Sequence, residues 1–403
     1  MTLVLSQRVQ RVSLSANAAA RERTRSLQQA GVDIIDLTIG EPDFDTPEHI
    51  KLAAQAAIAR GETKYTPIPG VRALREAIQQ KLQQENQLTF GIEQIMVANG
   101  AKQVIFNAFA ATLNQGDEVI IPAPYWPTFP DSVRFNGGTP VIVPCHLEQG
   151  YKLQPQQLAA AITPQTRWLV LNNPGNPSGA LYSRAELQAL AEVLRQHPQV
   201  WLLLDELYEQ ILFDGQQHCG LLNAADDLSS RTLLVGGVSK TYAMTGWRIG
   251  FGAGPQPLIK AMVVVQSQIS SGASSVSQAA ALAAYSGGLA FLTPQISAYQ
   301  QRRDRLVAIL QDIDGVELQS PDGAFFLFCR CAGLIGRIKP DGTRLETEAD
   351  VLDYFLENGV SGVAGSAYGL SPYFRLSTAA DETSVVEAGK RIAAACAELR
   401  VTL

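Results

Sequence analysis

Charge is scarce in this chain. Only 17% of its 403 residues are Asp, Glu, Lys or Arg, against about 25% in ordinary soluble domains. So little charged surface points to a well-buried protein with an oligomer interface. The charge that is present leans acidic, with 38 acids against 32 bases and a formal net charge of −6. This excludes a general nucleic-acid binder and a protein drawn to anionic membrane surfaces. Long hydrophobic runs are also missing. None approaches the roughly 18 residues a membrane helix needs, and runs such as those around Trp201–Leu204 and Met262–Val265 are strand- or core-sized. The five cysteines, Cys145, Cys219, Cys329, Cys331 and Cys396, are odd in number and scattered. They fit free thiols in a reducing compartment, and a cytoplasmic protein is expected. Cys329 and Cys331 have no second Cys/His pair at zinc-site spacing, so no metal is expected.

Repeats, low-complexity blocks and long linkers are absent too. At about 150 residues per domain, the length suggests two to three domains. The first segment carries Arg8, Arg11, Arg21, Arg23 and Arg25 against the single acid Glu22. That is weakly like a transit peptide, but an arm followed by a basic first helix is the expected reading. The middle alternates short apolar runs with helical patterns. Strands are expected at Ile95–Ala98, Glu118–Ile121, Pro140–Val143, Trp168–Leu171, Val200–Leu204, Thr232–Val235 and Arg248–Phe251. Between them, Ala101–Leu113 carries a helical stripe, and Ser183 with Glu186 forms a capping box that opens another helix. This alternation argues for an α/β domain with a mostly parallel sheet. From about 295 the pattern changes to a long helix over 295–310, a strand at Ala324–Phe328 and a closing helix through Val385, Ile392 and Leu399. That part reads as a separate, smaller α+β domain.

Open α/β sheets bind ligands beyond the carboxyl ends of their strands, and four segments place unusual residues there. Asn99-Gly100-Ala101-Lys102 opens a helix whose N-terminus is a ready anion site, or is simply a βα turn. Asn172-Asn173-Pro174-Gly175-Asn176-Pro177-Ser178-Gly179 fixes an irregular loop around Asn176, either as a tight turn or as a preorganised polar contact. Asp205 follows an apolar strand, where a carboxylate is costly unless paired; it either caps a helix or faces a buried cation. Val238-Ser239-Lys240-Thr241 sets a lysine among small residues, where it is either an ordinary surface lysine or a desolvated nucleophile. No Walker A loop and no Gly-x-Gly-x-x-Gly after a strand is present.

Taken in order, Asn-Pro-x-Gly, Asp-x-x-Tyr, and Ser-Lys followed eight residues later by Arg resemble the cofactor site of fold-type I, pyridoxal-phosphate-dependent class I aminotransferases. Leu37–Pro47, Lys64-Tyr65-Thr66, Pro124-Tyr125-Trp126, Ala243–Arg248, Gly323-Ala324-Phe325 and Phe374-Arg375-Leu376-Ser377 extend the resemblance from about residue 14 to 400. It is nearest to the bacterial and plastid aspartate/prephenate aminotransferase branch. The resemblance implies a fold-type I α/β transferase. Residues 1–13 would be an N-terminal arm, 14–45 with 297–403 a small domain, and 46–296 a large domain holding pyridoxal 5′-phosphate.

It also implies roles. Lys240 would link to the cofactor aldehyde and shuttle the proton, Asp205 would face the pyridine nitrogen, and Tyr208 and Asn176 the ring hydroxyl. Trp126 would stack on the ring. Gly100, Ala101 and Lys102, with Ser239 and Arg248, would hold the phosphate, and Tyr65 would reach it from a second subunit of a homodimer. Arg375 would clamp the substrate α-carboxylate and Gly40 would let backbone approach the substrate. Lys102 would meet a second carboxylate, and Trp126 and Asn176 would also touch the substrate. The implied reaction moves an amino group between aspartate or glutamate and a 2-oxo acid, with prephenate as a further diacid; relatives using prephenate carry Thr where Asn17 aligns. Alternatives are an aromatic or alanine aminotransferase, or another fold-type I enzyme such as a β-lyase, a decarboxylase or an aminocyclopropane-carboxylate synthase. A non-enzymatic regulator would need a DNA-binding module, for which the pattern leaves no room.

Overall fold

The computed structural model describes residues 3–14 and 16–401, apart from the side chains of Ala16 and Asn17. The Asn17 position invoked for prephenate thus lies outside what is described. A short strand, β1 (Ile35–Asp36), precedes seven others: β2 (Ile95–Ala98), β3 (Glu118–Ala123), β4 (Thr139–Pro144), β5 (Thr166–Asn172), β6 (Trp201–Asp205), β7 (Thr232–Gly237) and β8 (Gly250–Ala253). These seven form one sheet in the order β2-β8-β7-β6-β5-β3-β4. Pairing is parallel from β4 through β7, and β8 runs antiparallel to both its neighbours.

The near-continuous apolar strands arise because both sheet faces are covered. Leu169, Leu171, Leu202, Leu204 and Leu234 pack into one core. Trp168, Val170, Leu203, Leu233 and Val235 pack into the other. Successive residues alternate faces, as a strand's period of two requires. Leu202 and Leu203 are both fully buried, and each contributes about 1.5–3 kcal/mol through burial. The helix Arg184–Arg195 starts at the expected box, where Ser183 N–H donates to Glu186 Oε2 at 2.8 Å and Glu186 N–H to Ser183 Oγ at 3.3 Å.

The last third adds β9 (Glu317–Leu318), β10 (Phe326–Arg330), β11 (Val360–Ser361), β12 (Val363–Ala364) and β13 (Tyr373–Ser377). Four of these form a sheet in the order β12-β13-β10-β9, and β11 pairs with β1. The helices Leu292–Leu310 and Glu382–Ala397 contribute Leu306, Leu310, Val385 and Ile392 to its core, which also takes in Leu37 from before the large sheet. Cys329 and Cys331 are buried here as free thiols.

Two strand starts fall two residues later than expected. The strand expected at Arg248 begins at Gly250, because Arg248 stands in the left-handed region (φ 55, ψ 55) after a 3₁₀ turn. The strand expected at Ala324 begins at Phe326, because Ala324 has φ 58 and turns the chain into it. The long helix begins at Leu292 rather than 295. Among the described residues, no helix is long and apolar enough to cross a membrane.

Candidate active site

Strands β5, β6 and β7 end side by side, with Asn172 opposite Asp205 and Asp205 opposite Val235. A cavity of about 320 Å³ opens beyond them, lined by Asn172, Asn176, Asp205, Tyr208, Lys240, Trp126 and Arg375, and by Gly40, Thr38, Leu207, Ala18 and Arg21. The large sheet, the small sheet and the helix Ala16–Gln29 all contribute to this wall.

Asp205 is the last residue of β6 and is 5% exposed. Its Oδ1 accepts from Leu207 N–H at 3.2 Å. Burial pushes its carboxyl up to about 6, against the Leu207 bond and the Lys240 ammonium, which favour the ionised form. Lys240 is the converse case. Burial pushes its ammonium down to about 8; Glu41 and Asp205 oppose that shift, while Arg248 and Arg375 add to it. Its Nζ donates to Gly40 O at 2.6 Å and stands 5.9 Å from the Tyr208 ring centroid. An amine lowered to about 8 by burial, beside a buried carboxylate, is the pairing expected of a nucleophile and its electrostatic counterpart. Tyr208 is buried edge-on against Phe325 and Phe326, and burial raises its phenol.

Arg375, in β13, is 1% exposed. It donates to Thr38 O at 2.7 Å and Asn176 Oδ1 at 3.1 Å, and its guanidinium lies 4.3 Å from the Phe326 centroid. Its Nε is buried with no partner. A buried unsatisfied donor in a cavity is costly, and a carboxylate meeting the fork would relieve it. Asn176 is held in turn by Asn172: the Asn176 N–H donates to Asn172 Oδ1 at 2.8 Å, while Asn172 Nδ2 donates to Asp205 O at 3.0 Å. From behind, His218 Nε2 meets Asn173 O at 3.2 Å and Asn173 Nδ2 donates to Cys219 O at 3.1 Å.

At the adjoining helix N-terminus, Gly100 caps Ala101–Thr112 with φ +85. A side chain there would strike the Arg248 guanidinium, so only glycine lets Arg248 lie over the first turn. Arg248 donates to Thr245 O at 2.8 Å and Asn99 O at 3.4 Å. Ser239 is buried. The left-handed turn that displaces β8 is therefore what aims Arg248 at this terminus.

Not every expected residue meets the cavity. Lys102 is exposed and does not line it; Nζ lies 5.1 Å from the centroid of the lining Trp126. Partial burial and Arg248 lower its ammonium. Tyr65 is 97% exposed, outside the cavity, in a groove with Lys64, Thr66 and Gln278. Conversely, sequence reasoning gave no role to Thr38, Asn172, Glu41, Arg21 or Ala18. The first three lie inside quoted motifs, and the regularity around them was the available signal; Arg21 and Ala18 had none.

Comparison with known proteins gives one consistent result. The family model for aminotransferase class I and II matches residues 32–392. An aspartate aminotransferase of Rhizobium meliloti is 49% identical over 98% of this chain and 96% of that protein. An aspartate/prephenate aminotransferase of Cereibacter sphaeroides is 48% identical, over 98% and 99%. Among solved structures, an aspartate aminotransferase from Rhizobium meliloti superposes with TM-score 0.96 at 48% identity, covering 99% of this chain and 100% of that one. An aspartate aminotransferase from Thermus thermophilus with maleate gives 0.91 at 38%, over 98% and 100%.

Proposed function

This chain belongs to the class I and II aminotransferases, and we propose that it exchanges an amino group between an acidic amino acid, aspartate or glutamate, and a 2-oxo acid, using pyridoxal 5′-phosphate in a ping-pong cycle. The observation that carries this reading is the sharing of one cavity by Lys240, whose ammonium burial lowers to about 8, a buried Asp205 and an Arg375 with an unpartnered donor.

The residues fit the cofactor. Asp205 is a buried carboxylate lacking a full counter-charge, which suits a pyridinium nitrogen. The glycine-capped helix terminus under Arg248 suits a phosphate. When bound, pyridoxal phosphate supplies an electron sink for charge at the substrate α-carbon. Gly100, Ala101, Lys102, Ser239 and Arg248 hold its phosphate, Tyr208 and Asn176 its ring hydroxyl, and Trp126 its face. Lys240 would hold it covalently, and its Nζ, when free, would move the proton at the substrate α-carbon. Asp205 would face the ring nitrogen and favour its charged form. Arg375 orients the α-carboxylate, and Gly40 leaves the adjoining space open, since a side chain there would meet nothing within 4 Å.

Three further assignments complete the proposal. The exposed Tyr65 reaches the phosphate of a second copy in a homodimer, which its 97% exposure in the single chain supports. The separation of the large sheet's two cores from the small sheet's own core supports the division into a large domain (46–296) and a small one (14–45 with 297–403). The buried free thiols support a cytoplasmic setting.

Substrate class rests on Lys102 as a contact for the distal carboxylate. The test is the ratio of kcat/KM for aspartate over phenylalanine in wild type and K102A. Loss of one charge-assisted contact lowers that ratio by about 10- to 100-fold. An unchanged ratio makes Lys102 a phosphate or structural lysine.

A further inference from the structure

The side of the cavity formed by the helix Ala16–Gln29 carries a cation that no motif marked. Arg21 lines the cavity, and its Nη2 donates to Glu41 Oε1 at 3.0 Å. Glu41 Oε2 accepts from Thr245 Oγ1 at 2.7 Å. Glu41 closes a short segment whose earlier residues hold the other two cations of the cavity. Thr38 O accepts from Arg375 at 2.7 Å and Gly40 O from Lys240 at 2.6 Å. Along residues 38 to 41 the contacts therefore run Arg375, Lys240, Arg21. The Cα atoms of residues 38 and 41 are at most about 10 Å apart, so one short segment anchors both guanidinium groups and the reactive amine.

Charge and exposure point the same way. Among the side chains lining the cavity, three cations, Arg21, Lys240 and Arg375, face one carboxylate, Asp205. With Lys240 and Asp205 taken up by the cofactor, Arg375 and Arg21 are the two cations left to face the substrate, and among the described residues Arg21 is met only from one edge, by Glu41. The Arg21–Glu41 pair is 58% and 38% exposed, a setting in which an ion pair adds little to stability. Its effect is orientation: Glu41, fixed by Thr245, holds one edge of a fork that has five N–H donors. Lys102, by comparison, stands outside the lining.

We propose that Arg21 is a specificity-determining residue, holding the distal carboxylate of a dicarboxylic substrate whose α-carboxylate sits on Arg375. This rests on the acidic-substrate reading above and adds to Lys102 a second contact for the same group, one that lines the cavity.

The test uses holoenzyme: wild type, R21A, R21K and E41Q. Two quantities are read, the kcat/KM ratio of aspartate over phenylalanine and the dissociation constant of maleate, an unreactive C4 diacid. The ratio is taken within one preparation, so any loss of folded protein cancels. R21A lowers the ratio about 10- to 100-fold, the scale of one charge-assisted contact, and weakens maleate by a similar factor. R21K recovers part of both, and E41Q gives a smaller fall than R21A. Wild type that prefers aspartate while R21A keeps both quantities within twofold overturns the role of Arg21 and leaves the acidic-substrate reading standing. An equal fall in E41Q and R21A assigns the effect to the ion pair and overturns it too. Wild type without preference for aspartate overturns the acidic-substrate reading, and Arg21 with it.

Discussion

Replacing Lys240 by methionine in the cofactor-free protein should stabilise the fold at neutral pH. Burial brings the lysine from 10.5 down to about 8. At about 1.36 kcal/mol per unit, holding it charged at pH 7 costs roughly 3 kcal/mol. The sign follows from where each state titrates. Between about 8 and 10.5 the unfolded chain binds a proton that the folded chain has released, so wild-type stability rises with pH across that window and the full cost is present below it. Methionine has similar length and no charge, so the variant lacks this dependence. It also loses the bond to Gly40 O at 2.6 Å, worth about 1.5–3 kcal/mol for a charged donor. The variant should therefore be more stable by about 1 kcal/mol at pH 7. The advantage should shrink above pH 8 and vanish or reverse near 10.5. The assay is urea unfolding of cofactor-free protein at fixed concentration, since any oligomer makes the midpoint concentration-dependent. A variant less stable at pH 7, or a difference that does not move with pH, would refute the claim that the site holds its lysine at the fold's expense.

Two other outcomes follow from the same geometry. Arg375→Lys keeps the charge but loses the fork, and should lower kcat/KM for aspartate and phenylalanine alike by about 10- to 100-fold; a loss confined to one of them would remove Arg375 from the α-carboxylate. Sedimentation should find a dimer, and Tyr65→Phe should speed cofactor dissociation without changing that state; a fully active monomer contradicts the shared site.

How much of this was legible depended on how local the cause was. Strand β6 announces itself because a strand covered on both faces needs apolar residues at every position, and Trp201–Leu204 supplies them. Asp205 stands out for the same reason, as a charge ending such a run. Ser183 and Glu186 mark a helix start because the cap is built from neighbours three apart. Arg248 was placed in a strand because a non-glycine residue in the left-handed region is rare. The turn exists to lay its guanidinium over Gly100, which is 148 positions away by residue number. Arg21 was read only as part of a basic helix, since its partner Glu41 lies on another element and only folding brings them together. Lys102 shows the converse: its place in the Gly100-Ala101-Lys102 turn was legible, while its position over Trp126, outside the cavity lining, was not.

The central claim is that Lys240 carries the cofactor and does the proton transfer, and peptide mapping tests it most directly. Holoenzyme is reduced with borohydride and digested, and the peptide bearing the cofactor mass is sequenced, in wild type and in K240A. The account predicts the label on Lys240 alone in wild type. It predicts none in K240A, together with loss of the spectral change that aspartate causes in wild type. A label on Lys102 or any other lysine, or an undiminished half-reaction in K240A, would contradict it.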